Sequence, residues 1–187
     1  MRPLLLIAAA LLCACQHKPV VYASSPKSGI FSIAKVSGGQ LMAPGWEGYR
    51  PADKADDEVD YLFRRDSDGA WVAAFGFVSE HEASFPIEEG LSRTRGELIM
   101  RAMRLAKKQP GPELIMSSKK EPALLDGAAG DAAETVLTTD HPALRLYAAV
   151  VRRGRTYVFV LEGVSRGDAV ISEEGRDLVR RIRFDSP

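Results

Sequence analysis

The chain contains few of the residues from which most catalytic and metal sites are built. Among its 187 residues there are only two cysteines and three histidines. Both cysteines, Cys13 and Cys15, belong to the N-terminal stretch MRPLLLIAAALLCACQH. The rest of the chain therefore has no thiol with which to form a disulfide, and the body of the protein must fold without a disulfide framework.

The chain also lacks net charge and long apolar runs. Its 25 basic residues are balanced by 25 acidic residues, whereas general nucleic-acid binding needs a basic excess. After Cys15 no segment approaches the roughly eighteen consecutive apolar residues that a transmembrane helix requires. We therefore expect no nucleic-acid partner, and we expect any membrane attachment to be made by the N-terminus.

The N-terminus has the pattern of an export leader. Arg2 and the terminal amine supply positive charge, and the ten residues from Pro3 to Leu12 are almost all Leu, Ile or Ala. As a helix this stretch would cover about 15 Å, which is half of a hydrocarbon core of about 30 Å. It is too short to span a bilayer and is typical of a signal peptide that is removed. An ordinary secretory signal remains the alternative to the more specific interpretation that follows.

The end of the leader, Leu12-Cys13-Ala14-Cys15, resembles the bacterial lipobox. In lipoproteins with this motif the signal peptidase cuts just before a cysteine, which then carries diacylglycerol and usually a third acyl chain such as palmitate. The resemblance implies that residues 1–14 form the signal peptide and that Cys15 is lipidated. Cys13 fits less well, because the large Leu12 would then precede the cut. An Asp directly after the lipidated cysteine favours retention in the inner membrane, but this chain has Gln16 at that position. We therefore expect the mature protein to be anchored at the periplasmic face of the outer membrane.

Residues 15–29 are polar and turn-rich, and they predict a flexible tether. Residues 30–187 predict one α+β domain in which helices flank an antiparallel sheet. The clearest signals are two hairpins and two helices: a hairpin around Asp66–Gly69, an amphipathic helix from Phe85 to Lys108 with Ser84 as N-cap, a hairpin around Arg153-Gly154, and a C-terminal helix from Ser172 to Arg181. Further strands are predicted over Ile30–Val36, Glu113–Lys120 and Ala128–Thr138.

The order of these elements is similar to the PsbP-like α/β/α sandwich, which includes bacterial lipoproteins of the DcrB type. The resemblance is carried by Pro44-Gly45-Trp46, by the turn Gly127-Ala128-Ala129-Gly130, by the strand Y-V-F-V and by the final R-R-I-R-F. The resemblance covers about residues 30–185 and implies an α/β/α sandwich fold for them. It also implies binding or assembly rather than catalysis, because none of its motifs is catalytic.

Candidate site residues fall into two groups. His81, between Glu80 and Glu82, and His141, after Asp140, are the histidines available for a metal or hydrolase site, although a charged loop and a turn between strands are the simpler interpretations. The residues that we assign to possible partner binding are the loop aromatics and the helix cations: Trp46, Tyr49, Arg93, Arg101 and Arg104. Burial of the aromatics at the edge of the core, and a plain solvent face for the arginines, are the structural alternatives.

The sequence thus predicts a lipid-anchored lipoprotein of the bacterial envelope, with no cofactor, that acts as a non-enzymatic binding or scaffolding module. Its expected partners are the membrane, through Cys15, and another envelope protein. Two alternatives stay open: a membrane-tethered hydrolase or metal-dependent enzyme, and a small-ligand carrier. An enzyme needs a histidine that converges with carboxylates or a serine, whereas a carrier needs an apolar cavity between sheet and helix.

Overall fold

The structure is a computed structural model that describes residues 29–34, 46–52, 58–106, 116–117, 121–139, 145–164 and 173–185. The predicted signal peptide, Cys15 and nearly all of the tether lie outside these residues. The elements are, in chain order, β1 (Phe31–Ile33), β2 (Tyr49–Pro51), β3 (Tyr61–Arg65), β4 (Trp71–Val78), α1 (Ile87–Leu105), β5 (Met116–Ser117), β6 (Ala123–Leu124), β7 (Asp131–Thr139), β8 (Arg145–Arg153), β9 (Thr156–Val164), α2 (Glu174–Arg181) and β10 (Ile182–Phe184).

Eight of these strands form one antiparallel sheet in the order β2-β3-β4-β9-β8-β7-β5, with β6 also paired to β7. Both predicted hairpins are confirmed. β3 and β4 join through a turn in which Asp68 Oδ1 accepts the Ala70 N–H at 3.1 Å and Gly69 has a φ of 76°. β8 and β9 join through Gly154, which has a φ of 58°. Positive φ values of this kind are the reason that glycine occupies both turns.

The sheet is covered on both faces, as the apolar character of its central strands predicts. Along β9 the side chains alternate: Phe159 and Leu161 pack with α1, whereas Val158 and Val160 pack with α2. The protein is therefore a single α+β domain with a large antiparallel sheet and two helices. Neither helix among the described residues is long and apolar enough to cross a membrane.

The α2 face is completed by a small ribbon that joins the two ends of the domain. β1 pairs with β10, and Phe31 lies opposite Phe184 while Ile33 lies opposite Ile182. The sequence predicted a strand near β1 but only a helix end near β10. The reason is that the three residues of β10 follow α2 without a turn residue, so no local signal marks where the helix gives way to a strand.

The predicted helices are confirmed with shorter bounds, and one predicted cap is wrong. Ser84 does not cap α1. The N-cap is Pro86, with φ −56° and ψ 148°, and no side chain bonds to it. Proline has a fixed φ and no N–H, so it suits this boundary. Glu88 and Glu89 occupy the first turn, where the positive end of the helix dipole favours acids.

The predicted strand over Glu113–Lys120 is described only at β5, because its other residues lie outside the described part of the chain. The strand predicted from Ala128 begins later, at Asp131. The preceding residues form a turn in which Gly127 has a φ of 84°. β6, before that turn, was not predicted, because two residues are too few for a periodic signal.

Candidate functional site

A groove opens on the α1 face of the sheet, where β4 ends and where β9 and α1 begin. It has a volume of about 380 Å³, within the range of small-molecule sites. Its floor is made by Phe77, Tyr157 and Phe159 of the sheet, and its roof is made by Phe85 and Gly90 from the start of the helix. We call this feature the groove.

The floor of the groove belongs to a stack of four aromatic rings. Phe75 and Phe77 alternate along β4, and they lie directly opposite Phe159 and Tyr157 on β9. The ring centroids are 5.3 Å apart for Phe75 and Phe159, 5.9 Å for Phe159 and Phe77, and 5.3 Å for Phe77 and Tyr157. The planes are within 16° of parallel. Cross-strand pairing of aromatics therefore builds a continuous apolar surface.

Phe77 is the member of this stack that solvent reaches most. It is 45% exposed, whereas Phe75, Tyr157 and Phe159 are buried. An exposed aromatic side chain on the wall of a concavity marks an unfilled apolar contact more clearly than an isolated surface residue does. The exposed surface of Phe77 therefore faces space that a ligand can occupy.

The roof of the groove is held in place by arginines from the hairpin of β8 and β9. Arg152 Nη1 donates to the backbone oxygen of Phe85 at 2.9 Å, and Arg155 Nη1 donates to that of Glu80 at 3.3 Å. The Arg93 guanidinium lies 4.6 Å from the centroid of the Phe85 ring. These contacts join the connection between β4 and α1 to the sheet, so the groove is a preformed feature of the fold.

The rim of the groove is polar and carries charges of both signs. Its polar side chains are those of Ser79, His81, Glu82, Ser84, Arg93 and Thr94. Arg93 Nη2 and Nε donate to Glu89 Oε1 at 2.6 and 3.0 Å. An apolar floor with a polar rim can bind a molecule that has one apolar part and one polar part.

A second polar cluster lies on the opposite face of the sheet, between the sheet and α2, and it is partly buried. Glu162 of β9 accepts the Gly175 N–H at 2.8 Å. Glu134 of β7 accepts the Tyr147 hydroxyl at 2.9 Å, and both of its carboxylate oxygens accept from Arg176 at 2.7 and 2.6 Å. These bonds tie the first turn of α2 to two side chains of the sheet, Glu162 and Glu134, so the cluster positions the helix.

Burial also controls protonation in this cluster. Burial raises the pKa of the Glu174 carboxyl, although the nearby Arg65 guanidinium opposes that shift. Burial raises the pKa of Tyr147, and the negative charge of Glu134 adds to the effect. Burial likewise raises the pKa of Tyr49, with a further contribution from Glu174. Both phenols therefore stay neutral at physiological pH.

Two atoms of this buried cluster have no hydrogen-bond partner within the described ranges: the Tyr49 hydroxyl and Glu174 Oε2. Arg65 Nη1 is 3.6 Å from Glu174 Oε1. The same arginine is bonded to Asp68 at 2.8 Å, and this bond lowers the pKa of Asp68. Since Glu162 and Glu174 are almost inaccessible to solvent, we assign the cluster to the folding of α2 onto the sheet, and we take the groove as the candidate functional site.

The assignment of Trp46 and Tyr49 to partner binding is corrected by the structure. Trp46 is 1% exposed, and Tyr49 is also buried. The Trp46 ring makes edge contacts with Tyr49 at 5.1 Å and Phe63 at 5.6 Å, and its N–H donates to Asp177 at 2.5 Å. These aromatics follow a loop rich in Gly and Pro, yet they pack against the α2 face because the core buries their large apolar area.

The three helix arginines do not form one surface. Arg93 and Arg104 are exposed, and Arg104 pairs with Glu58 at 3.1 Å. Arg101 is only 17% exposed, and its guanidinium lies 3.9 Å from the centroid of the Phe75 ring. Arg101 also donates to the backbone oxygen of Glu58. The expectation of an exposed Arg101 is therefore wrong, because its side chain covers the end of the aromatic stack.

The histidine predictions are only partly described. His81 is exposed at the rim of the groove, and its backbone N–H donates to Ser79 Oγ at 3.3 Å. His17 and His141 lie outside the described residues. Within the described ranges, no three His, Cys, Asp or Glu side chains are grouped so that they could hold a metal ion.

The segment Gly163-Val164-Ser165-Arg166-Gly167 has the G-x-S-x-G spacing of a nucleophile elbow. That motif requires a helix directly after the serine. In this chain Gly163 and Val164 are the last residues of β9, and residues 165–172 lie outside the described part of the chain. The spacing alone therefore does not identify Ser165 as a nucleophile.

Phe77 is the site residue that reasoning from the sequence missed. The predicted hairpin around Asp66–Gly69 includes Phe75 and Phe77 in its second strand but assigns neither of them a role. The available signal is that apolar residues continue to Val78, at the very end of the strand. The strand therefore extends beyond the part of the sheet that α1 covers, and its last apolar side chains stay accessible.

Comparison with known proteins does not assign the chain to a family. No family model matches it, and no curated protein matches it. A crystal structure from Bacteroides thetaiotaomicron VPI-5482 is similar at a TM-score of 0.44 and 10% sequence identity. The match covers 84% of this chain and 46% of that chain, so this chain spans less than half the length of that protein.

Proposed function

We propose that the chain is a lipid-anchored, non-enzymatic binding module of the bacterial cell envelope, and that it binds an apolar ligand in the groove. The observation that carries the binding proposal is the groove itself, with a stacked aromatic floor and an exposed Phe77. An apolar cavity between sheet and helix is the feature that the small-ligand carrier requires. It favours ligand binding over a purely scaffolding role.

The location in the envelope rests on the N-terminal sequence. A lipid on Cys15 would attach the domain through two or three acyl chains, and each buried methylene contributes roughly 0.8 kcal/mol to membrane binding. The absence of Asp after Cys15 supports the periplasmic face of the outer membrane, where another envelope protein would be the macromolecular partner. The order of hairpin, long helix, meander and final helix supports a PsbP-like type for the α+β fold.

The lipid anchor is tested by replacing its acceptor. Cys15→Ser is expected to abolish incorporation of a fatty-acid analogue supplied to the native host, because serine offers no thiol for the thioether bond. The matched control is Cys13→Ser, which removes the other cysteine two residues away and should keep full labelling. Undiminished label in the Cys15 variant would rule out this residue as the anchor.

The groove is tested with the uncharged dye N-phenylnaphthylamine, which becomes fluorescent in apolar surroundings. The unacylated full chain carrying Cys15→Ser is expected to bind the dye saturably. Phe77→Ser should weaken dye binding about tenfold, since the apolar contact of one partly exposed ring is lost. Leu124→Ser is the control, because Leu124 is 67% exposed and lies away from the groove. Equal dye binding by both variants would contradict the proposal.

A further inference from the structure

The rim of the groove carries two charged side chains, Arg93 and Glu82, of which only Arg93 has an ion-pair partner among the described residues. Arg93 pairs with Glu89 through Nε and Nη2, and its Nη1 donates to no other residue in the described part of the chain. The Glu82 carboxylate forms no hydrogen bond or ion pair with any described side chain, and Glu82 is exposed. The rim therefore offers one unpaired acceptor and one cation with a remaining donor.

This combination of charges selects among amphiphiles. A purely anionic head group would be attracted by Arg93 but repelled by the unpaired Glu82. A purely cationic head group would be attracted by Glu82 but repelled by Arg93. A zwitterionic head group, with its phosphate at Arg93 and its ammonium at Glu82, complements both charges at once.

The apolar part of the groove suits one hydrocarbon chain. The whole groove has a volume of about 380 Å³, which is near the lower end of the range for small-molecule sites. The floor of Phe77, Tyr157 and Phe159 runs across two strands and stays apolar over that length. A chain lying along this floor would cover the exposed surface of Phe77.

The tether enters the domain at the same end of β4 as the groove but on the opposite face of the sheet, because Ile30 packs with the α2 face. Ile30, at the start of the described chain, packs against Gly76, and a Cβ on that glycine would lie 2.9 Å from Ile30 Cδ1. Gly76 directly precedes Phe77. If Cys15 carries the lipid, as the proposed function holds, a tether of fifteen residues spans about 20 Å as a random coil and keeps the domain near the bilayer.

We propose that the groove binds a single-chain zwitterionic phospholipid, with the hydrocarbon chain along Phe77 and Phe159 and the head group between Glu82 and Arg93. This inference rests on the proposed function and names its ligand class. The bilayer at the end of the tether is the source of such a lipid.

The test is calorimetric titration of the unacylated full chain with three probes: dodecylphosphocholine and dodecyl sulfate, both below their critical micelle concentrations, and glycerophosphocholine, which forms no micelles. The first shares its chain with the second and its head group with the third. We expect the first to bind at one molecule per chain and more tightly than the second. The third should not bind, because the head group alone has no contact with the aromatic floor.

Variants separate the chain from the head group. Phe77→Ser should weaken binding of both dodecyl amphiphiles about tenfold. Arg93→Gln and Glu82→Gln should each weaken dodecylphosphocholine binding by about two- to fivefold, as expected for exposed charge contacts. Glu89→Gln is the matched control, because it removes the helix ion pair but keeps the Arg93 charge.

The outcomes distinguish this inference from the proposed function. Dodecyl sulfate that binds as tightly as dodecylphosphocholine, or head-group variants that bind like the unsubstituted chain, would overturn the zwitterionic ligand while leaving apolar binding in the groove intact. Absence of saturable binding for both dodecyl amphiphiles and for N-phenylnaphthylamine would overturn both. Tight binding of glycerophosphocholine alone would overturn the assignment to a lipid.

Discussion

Replacing Trp46 with alanine is expected to lower the free energy of unfolding by about 3–5 kcal/mol, the usual cost of deleting a buried aromatic side chain. The indole is 1% exposed and contacts the rings of Tyr49 and Phe63. Its N–H donates to Asp177 of α2 at 2.5 Å. Truncation would therefore leave a cavity in the α2 face of the core and would remove a contact that holds the helix. Urea unfolding followed by far-UV circular dichroism measures the change.

Two further variants separate packing from hydrogen bonding at this position. Trp46→Phe keeps an aromatic ring and should cost less, about 1–2 kcal/mol, because Asp177 retains its ion pair with Arg181 at 2.5 Å. Leu124→Ala, at an exposed position, should change the free energy of unfolding by no more than about 0.5 kcal/mol. If the Trp46→Ala chain unfolds at the same urea concentration as the unsubstituted chain, Trp46 is not part of the core, and its assignment to partner binding would stand again.

Replacing Gly175 with alanine is expected to destabilise the protein by about 1–3 kcal/mol, although alanine is the better helix former. A Cβ at this position would lie 2.5 Å from Tyr147 Cδ1 and 2.7 Å from Glu162 Oε2. Both neighbours are buried side chains of the sheet. The start of α2 would have to lift away, and the bond from the Gly175 N–H to Glu162 would lengthen.

The matched control is Gly96→Ala in α1. Gly96 is also a helical glycine, but a Cβ there would meet nothing within 4 Å. The helix propensity gained is the same, so this variant should be stabilised by about 1 kcal/mol. We therefore predict that Gly175→Ala lowers the urea midpoint of unfolding and that Gly96→Ala raises it. A stabilised Gly175→Ala chain would show that α2 does not pack as closely on the sheet as described.

Features determined by local chemistry could be predicted from the sequence. The turn Asp66–Gly69 specifies the hairpin of β3 and β4, because aspartate and glycine suit its geometry and the segments on either side are aromatic and β-branched. The apolar residues spaced three and four apart specify α1. The strands β8 and β9 are apolar on both faces, so the cover on both faces of the sheet also followed from the sequence.

Features that depend on distant residues could not be predicted in this way. The groove exists because β4, β9 and the start of α1 meet at one edge of the sheet, and no local pattern states which end of a strand a helix leaves uncovered. The burial of Glu162 under α2 depends on the close approach of Gly175, which lies 13 residues from Glu162 in the chain. A buried acid and a solvated acid have the same sequence signature.

The sequence by itself determined the two hairpins, the two helices, the double cover of the sheet and the expectation of a lipidated N-terminus. Periodicity and turn residues act over a few neighbours, so they can be read along the chain. Only the tertiary structure decided that Trp46 is buried, that β1 pairs with β10 and that Phe77 lines an open groove. Those outcomes depend on contacts between distant residues, such as Trp46 and Asp177, which are 131 positions apart, and the paired Phe31 and Phe184, which are farther apart still.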